Sequence, residues 1–188
     1  HCVGFKEVGT DQKFIFTGYD EVYGKNGKGG VKEFILDTAT ELIGHNIISF
    51  DLLVFKAALG LDYDVGCFGV PDRVGGKDII ITDTLVMSKT LNPDRPQHSI
   101  DYFGRFLGGL EKIDWRAQAI ELGLITADAP RGAEFRQYHP AMGVYMERDI
   151  EVNERVYKWL LSEWGAWNWT DAYELEKKVA EIITRQEH

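Results

Sequence analysis

The sequence is poor in cysteine and in long apolar stretches, and each shortage excludes a class of protein. Its 188 residues contain two cysteines, Cys2 and Cys67. That is too few for a disulfide framework and indicates a reducing compartment such as the cytosol. The cysteines and histidines lack the Cys-x-x-Cys spacing of common zinc sites. No apolar run approaches the ~20 residues that a membrane-spanning helix needs, so we expect no membrane partner.

Basic residues are also in short supply. Lysine and arginine number 21 against 30 acidic residues, which gives a net charge of −9. Proteins that grip duplex nucleic acid by themselves usually present a basic surface. Clustered carboxylates can nevertheless recruit divalent cations, and those cations can bind phosphates. The net charge therefore argues against tight binding to duplex nucleic acid. It does not exclude a metal-dependent enzyme that acts on nucleic acid.

The order of apolar patterns and breakers predicts an α/β fold. With 44% hydrophobic and 27% charged residues, the chain has the composition of a globular domain with a substantial core. Strand patterns come early and helix patterns late, around a β-α-β unit. The predicted strands cover residues 2–8, 13–17, 42–44 and 78–81, and the predicted helices cover 31–38, 51–59 (ended by Gly60), a helix begun by Asp83, a helix capped by Ser99, 134–162 and 172–187.

The first string that suggests chemistry is Gly-His-Asn-Ile-Ile-Ser-Phe-Asp at residues 44–51. It places Asp51 where a predicted strand and loop meet a helix. A structural role is the alternative, because an acid at a helix N-terminus is stabilised by ~0.3–1 kcal/mol. The glycine permits a sharp turn after the strand, and Asn46 is a small polar residue able to contact DNA. These neighbours favour a functional role for Asp51.

The second string is Tyr-Met-Glu-Arg-Asp at residues 145–149. Tyr145 and Asp149 are four residues apart on a predicted helix and therefore share one face. An ordinary surface pair is the alternative, because this spacing is common by chance. An aspartate can hold a metal ion, and a tyrosine hydroxyl can orient the water that the ion activates.

Together the two strings resemble the second and third motifs of the DEDD 3′→5′ exonucleases, in the variant whose last motif is Tyr-x-x-x-Asp. The resemblance implies an RNase H-like mixed β-sheet flanked by helices. It implies that Asp51 and Asp149 bind metal and act in catalysis with Tyr145. It also implies two Mg²⁺ or Mn²⁺ ions in the complete site, with Asn46 and His98 contacting a single-stranded 3′ end of DNA. The two carboxylates should lie within ~4–8 Å, since such ions sit about 3.5–4 Å apart.

Two further strings, at residues 81–89 and 175–187, resemble the single-chain family A DNA polymerases of short-tailed bacteriophages. The resemblance implies that residues 1–170 are a proofreading exonuclease domain. Residues 171–188 would then be a helix leading into a polymerase domain of the same chain. It also implies a role in phage DNA replication, in the cytoplasm of the infected host cell.

The predicted C-terminal helix carries one apolar stripe. Its members are spaced by three and four residues, which places them on one face. We expect this face to pack against protein, in part against the linked polymerase domain. The stripe consists of Leu175, Val179, Ile182 and Ile183.

Other candidate residues have stronger structural interpretations. Asp83 precedes a predicted helix, and capping is favoured over metal binding. His98 lies beside a helix that is interpreted as scaffold, although it could contact DNA. Tryptophans can stack on single-stranded bases, but a place in the core or between domains is favoured for Trp159, Trp164, Trp167 and Trp169.

One departure from the exonuclease pattern affects activity. The family's first motif, Asp-x-Glu on a strand just before the hairpin, is absent. Residue 1 is not methionine and already borders a strand pattern, so we expect the chain to be a segment whose missing acids lie upstream. With two of four carboxylates, it should bind metal weakly and show no measurable turnover. A free-standing DEDD exonuclease of DNA or RNA, and a non-catalytic exonuclease-fold interaction domain, remain open as alternatives.

Overall fold

The computed structural model of the chain describes residues 2–25, 27–108, 113–165 and 168–187. These residues form a mixed α/β architecture in which helices outnumber strands and the longest helices come last. A 3₁₀ turn at Ala133–Phe135 precedes the last two helices. The elements are β1 (Cys2–Lys6), β2 (Lys13–Thr17), α1 (Gly18–Val22), α2 (Val31–Thr38), β3 (Glu41–Gly44), α3 (Asp51–Leu59), β4 (Tyr63–Asp64), β5 (Arg73–Val74), β6 (Lys77–Asp78), β7 (Ile80–Asp83), α4 (Thr84–Leu91), α5 (Ile100–Phe106), α6 (Trp115–Glu121), α7 (Ala141–Trp164) and α8 (Thr170–Glu187).

The strands of the described residues lie in three separate small sheets. β1 pairs with β2 as an antiparallel hairpin, and β3 pairs with β7 in parallel. The two-residue strands β4, β5 and β6 form an antiparallel meander. Both parallel and antiparallel pairing therefore occur, but in these residues no ladder joins β1 to β3.

The structure confirms the helices, strands and caps that were predicted from neighbouring residues. The predicted hairpin, α2 and α3 are present, and the last two match the predicted bounds. Gly60 ends α3 in the left-handed conformation, with φ of 64°, which glycine adopts without a Cβ penalty. Asp83 and Ser99 cap α4 and α5 by accepting backbone N–H groups of the first turn. β7 lies two residues later than the predicted strand.

Two hydrophobic clusters form the core. The larger lies between the strands and α2 and α3, and includes the fully buried Ile35, Ile48 and Leu52. The smaller joins α4, α5 and α7, where Trp159 packs on Phe103 with ring centroids 5.7 Å apart. Trp159 and Trp164 thus belong to the core, as the sequence favours, and Trp169 is half-buried. Trp167 lies outside the described residues.

The 24-residue helix α7 packs against two separate parts of the molecule, each on a different face. Val152, Val156 and Leu160 are buried in the smaller cluster. Another face of α7 packs against β1, where a Cβ on Gly4 would come within 2.7 Å of Met146 and Ile150. Glycine at this position therefore allows the close approach of strand and helix. Within the described residues, no helix combines the length and the apolar character needed to cross a bilayer.

The C-terminal helix α8 does not bury its apolar stripe within this chain. Its apolar stripe, which was expected to face protein, is exposed, with relative exposures of 50%, 37%, 47% and 48% for Leu175, Val179, Ile182 and Ile183. The face that packs against the molecule is polar. Its buried residues are Lys177, Glu181 and Thr184.

A buried polar network explains this orientation. The Lys177 ammonium lies 2.7 Å from the Asp72 carboxylate, which also accepts the backbone N–H groups of Gly66 and Ile81. Glu181 accepts the backbone N–H of Val65 at 3.0 Å. Each buried charge thus has a partner, which is the condition for tolerating it in a core. These contacts fix the rotation of α8.

We therefore expect Lys177→Ala to lower the free energy of unfolding by about 3–5 kcal/mol, because it leaves the buried Asp72 carboxylate without its counter-ion. The matched substitution Leu175→Ser alters an exposed position of the same helix and should change that free energy by less than ~1 kcal/mol. Urea denaturation measures both. A larger loss for Leu175→Ser would mean that α8 packs by its apolar face after all.

Candidate active site

An open cavity of about 1690 Å³ lies among β1, β3, α3 and α7. Its walls include backbone from both strands and a stripe of α7 side chains spaced by three and four residues. All five residues that the sequence singles out for catalysis or substrate binding line this one cavity. They are Asn46, Asp51, His98, Tyr145 and Asp149.

The loop between β3 and α3 brings Asp51 to the cavity. The sharp turn depends on two residues of the first string. Asn46 adopts the left-handed conformation with φ of 66°, a region that asparagine tolerates better than most residues. A Cβ on Gly44 would lie 2.6 Å from the Ile47 side chain, so glycine there permits the chain to fold back. Asp51 then forms the first residue of α3.

Hydrogen bonds to the Asp83 carboxylate fix the conformation of this loop. One of its carboxylate oxygens accepts the backbone N–H of Asn46 at 3.0 Å, and the other accepts that of Ile48 at 3.2 Å. The first oxygen also accepts the N–H groups of Leu85 and Val86 as the cap of α4. Asp83 is 1% exposed. Four backbone donors converge on it, which agrees with the structural role favoured from the sequence.

The pKa of Asp51 is unusually high for an aspartate. Burial, followed by the neighbouring charge of Asp83, raises the pKa of Asp51 to about 6. Burial likewise raises the pKa of Asp83, against the effect of its four amide donors. A divalent cation beside Asp51 would reverse the first effect, because positive charge favours the ionised carboxylate. Ionisation of Asp51 is therefore unfavourable in the chain alone, and a cation bound beside it would make ionisation favourable.

Tyr145 and Asp149 reach the cavity from α7. They lie one turn apart on the stripe that also contains Met146 and Ile150, which contact β1 at Gly4. The Tyr145 ring lies 6.4 Å from that of Phe135, between centroids. The expectation that the tyrosine and the aspartate share a helix face is confirmed.

The two predicted DNA contacts differ in their settings. The backbone N–H of Asn46 donates to Asp83, and the residue lines the cavity. The ring Nδ1 of His98 lies 2.7 Å from the Ser88 hydroxyl. Burial, with the nearby charges of Arg95 and Lys89, lowers the pKa of His98, so its ring is neutral at pH 7. His98 can therefore hydrogen-bond to a ligand but adds no charge.

A polar network that the sequence interpretation missed connects the elements of the site. The Thr84 hydroxyl lies 3.0 Å from His45 Nδ1 and donates to the Asn153 side-chain oxygen at 2.8 Å. The Asn153 amide nitrogen in turn lies 3.4 Å from the Ile43 carbonyl. Asn153 follows Asp149 by one helical turn, and this spacing was the available signal. The network ties α7 to β3 and α4, and so sets the position of Asp149.

The residues present do not by themselves make a complete metal centre. Across the described ranges, no group of three or more histidine, cysteine, aspartate or glutamate side chains is placed to hold an ion. Asp51 and Asp149 supply two carboxylates to the cavity. Two divalent ions need more oxygen ligands and more negative charge than two aspartates provide.

Comparison with known proteins adds no assignment. No protein-family model matches the chain, and no curated protein matches it.

Proposed function

We propose that the chain is most of a DEDD-type 3′→5′ exonuclease domain with an RNase H-like fold, which proofreads for a DNA-directed DNA polymerase. One observation carries the proposal. Asp51 and Tyr145–Asp149 are far apart in sequence and lie on different helices, yet they line the same cavity. The exonuclease motifs require their carboxylates to face a common cavity, and the positions of these residues agree with that requirement.

The energetics of Asp51 support the same function. Carboxylates with strongly raised pKa values in a cleft are candidates for functional sites. Asp83 is more deeply buried, at 1% exposed, but it receives four backbone hydrogen bonds and has an evident structural task. Asp51 lies at the cavity wall instead. A ligand of positive charge would offset the cost of ionising this partly buried carboxylate.

The metal requirement is only partly met by this chain. Asp51 and Asp149 would be ligands of the Mg²⁺ or Mn²⁺ ions, and Tyr145 would hydrogen-bond to the attacking water or a phosphate oxygen. The remaining acids would come from another stretch of polypeptide, which agrees with the missing Asp-x-Glu motif. We therefore expect the 188 residues alone to bind these ions weakly and to show no measurable turnover.

The exposed stripe on α8 supports a covalently linked partner domain. Four large apolar side chains lie along one face of this helix at 37–50% exposure. Contiguous apolar surface of this kind commonly marks a site that another domain or protein covers. In the proposal, the polymerase domain covers it.

The test is an exonuclease assay of the polypeptide encoded by the complete reading frame around these residues. The substrate is single-stranded DNA labelled at its 3′ end, with Mg²⁺ or Mn²⁺. Asp149→Asn should reduce release of 3′ nucleotides by more than about 100-fold, because even outer-shell partners of metal sites contribute ~10–100-fold. Tyr145→Phe should be milder, since only a hydroxyl is lost.

The exposed Asp171, on α8 and away from the cavity, provides the matched control. Asp171→Asn should retain full activity. Activity close to wild type in Asp149→Asn would refute the assignment. Strong, EDTA-sensitive cleavage by the 188 residues alone would show that other acids, such as Asp83 or Glu151, complete the site.

A non-catalytic interaction domain is the second candidate, because no ligand group of three forms among the described residues. It predicts that the complete polypeptide lacks exonuclease activity even though it folds. A free-standing exonuclease would instead be active without any polymerase activity in the same polypeptide.

A further inference from the structure

The inward face of α8 bears a row of polar side chains that contact the elements of the candidate site. Its members are spaced by four, four and three residues, so they lie on one face of the helix. They are Tyr173, Lys177, Glu181 and Thr184. The middle two belong to the buried network that fixes the rotation of α8. The two at the ends contact residues that support or precede Asp51.

Side chains complete the hydrogen bonding along the outer edge of β7. Within the described part of the chain, β7 pairs only with β3, and the N–H and C=O groups of an unpaired strand edge need other partners. The Ile81 N–H donates to Asp72 at 2.7 Å, and the Ile81 carbonyl accepts the Lys177 ammonium at 3.2 Å. The Asp83 N–H donates to the Tyr173 hydroxyl at 2.8 Å. The polar face of α8 therefore takes the place of a neighbouring strand.

Tyr173 acts on the active-site loop through Asp83. Its hydroxyl holds the backbone of Asp83, while the Asp83 carboxylate accepts the N–H groups of Asn46 and Ile48. The Tyr173 ring packs edge-on against Trp164, with centroids 5.5 Å apart. The ring is thus fixed at one end and the hydroxyl at the other, so the end of β7 is tied to α8.

Thr184 contacts the loop directly. Its hydroxyl lies 2.7 Å from the Ser49 hydroxyl, and Thr184 is buried. Ser49 lies two residues before Asp51, in a turn that the Leu52 N–H closes on the Ile47 carbonyl at 3.0 Å. Because this turn leads directly into α3, a displacement of Ser49 would move Asp51 as well.

We propose that Tyr173 and Thr184 are positioning residues of the candidate active site. Tyr173 fixes Asp83, and Thr184 fixes the turn that Asp83 supports, so one helix holds the approach to Asp51 at two points. Neither residue lines the cavity, so neither is expected to touch a substrate there. The support of the loop is inferred from these contacts, whereas its effect on catalysis rests on the proposed exonuclease function.

The first experiment measures amide hydrogen exchange in the 188-residue chain. Thr184→Val keeps the shape of the side chain but removes the hydroxyl. The Ile48 amide, which donates to Asp83, should then exchange faster by at least ~5-fold relative to the Val156 amide, because a net hydrogen bond is worth about that factor. Val156 is a buried reference on α7. Thr184→Ser retains the hydroxyl and should leave this ratio close to that of the wild type.

Three further variants locate the effect. Thr170→Val removes a hydroxyl from the exposed first residue of α8 and should leave the ratio unchanged. Ser49→Ala should reproduce Thr184→Val, and the double variant should show no larger effect than either single one, since one loss already breaks the contact. Tyr173→Phe should accelerate exchange of the Asp83 amide by at least ~5-fold relative to Val156.

The second experiment measures kcat and KM of the complete polypeptide in the exonuclease assay. Thr184→Val and Tyr173→Phe should each lower kcat by ~10-fold or more and change KM by less than ~2-fold, because a misplacement of about 1 Å at a reacting centre can cost ~100-fold in rate. Thr184→Ser should restore kcat, and Thr170→Val should not change it.

Two results would overturn the proposal. Equal acceleration of the Ile48 and Val156 amides in Thr184→Val and Ser49→Ala would mean that the hydroxyl pair contributes only to overall stability. A kcat close to wild type in both Thr184→Val and Tyr173→Phe would mean that the site does not depend on α8. An inactive wild-type polypeptide would instead refute the exonuclease function, and the exchange experiment would still decide whether α8 holds the loop.

Discussion

Asp83→Ala is expected to lower the free energy of unfolding by about 3–5 kcal/mol, as large an effect as that of Lys177→Ala. The substitution removes the acceptor of four backbone N–H groups at once. A buried donor left without a partner costs ~1–3 kcal/mol, and loss of a helix cap costs about 1 kcal/mol. At least the N–H of Ile48 is fully enclosed. Chemical denaturation with a far-UV CD readout measures the loss.

Asp83→Asn separates the two oxygens of the carboxylate. It can keep one oxygen for Asn46 and Leu85, but it presents an N–H₂ group to the N–H of Ile48. We expect a loss between those of the wild type and Asp83→Ala. If both variants are as stable as the wild type, Asp83 is not the support of the loop, and a metal role for it must be reconsidered. In both variants the pKa of Asp51 should move down, because a neighbouring negative charge is gone.

The parts of the fold that were predictable are those specified by adjacent residues. α3 has an acid at its start, apolar residues at helical spacing and Gly60 at its end, and its bounds match the prediction. The two motifs were found because each is a compact string of adjacent residues. Their convergence on a single cavity followed from the resemblance to exonucleases, and spacing alone does not supply it.

The parts that were not predictable depend on contacts between distant residues. The stripe of α8 satisfies the helical pattern of an inward face, yet the helix is rotated by Lys177 and Glu181, whose partners Asp72 and Val65 lie far away in sequence. The pairing of a buried charge cannot be recognised until both partners are known. The meander of β4 to β6 was missed because strands of two residues contain no periodicity.

The split sheet has a similar cause. A sequence pattern identifies a strand by its alternation, but it does not state which neighbours complete its ladder. β1 and β3 each match a predicted strand, and each has one described partner. The expected mixed sheet would require a ladder that joins β1 to β3, and none is present among the described residues.

Asp51→Asn is expected to stabilise the fold above pH 6 and yet to abolish nuclease activity in the complete polypeptide. The pKa of Asp51 is about 6 in the folded chain, against an ordinary value of 3.8. A raised pKa means that folding favours the protonated acid. The resulting stability is fully present below the unfolded-state pKa and is lost as the pH rises through about 6. Asparagine resembles the protonated form at every pH.

The difference in unfolding free energy between Asp51→Asn and the wild type should therefore depend on pH. It should be near zero at pH 3.5, rise between pH 4 and pH 6, and reach a plateau of about 1–3 kcal/mol in favour of the variant, since one pKa unit corresponds to ~1.4 kcal/mol. Titrating groups that do not interact with Asp51 cancel in this difference. Divalent cations should reduce the plateau wherever they bind the wild type, because they stabilise the ionised carboxylate.

Asp171→Asn is the matched control, because Asp171 also lies in the first turn of a helix but is exposed. Loss of its favourable interaction with the helix N-terminus should cost at most ~1 kcal/mol, the opposite sign to the effect at Asp51. A structural Asp51 would behave in the same way as this control. A carboxylate whose removal stabilises the fold and stops the reaction is retained for function, since natural sites commonly give up stability for chemistry. If Asp51→Asn destabilises the chain at pH 8, the charge of Asp51 stabilises the N-terminus of α3, and the nuclease proposal loses its main energetic support.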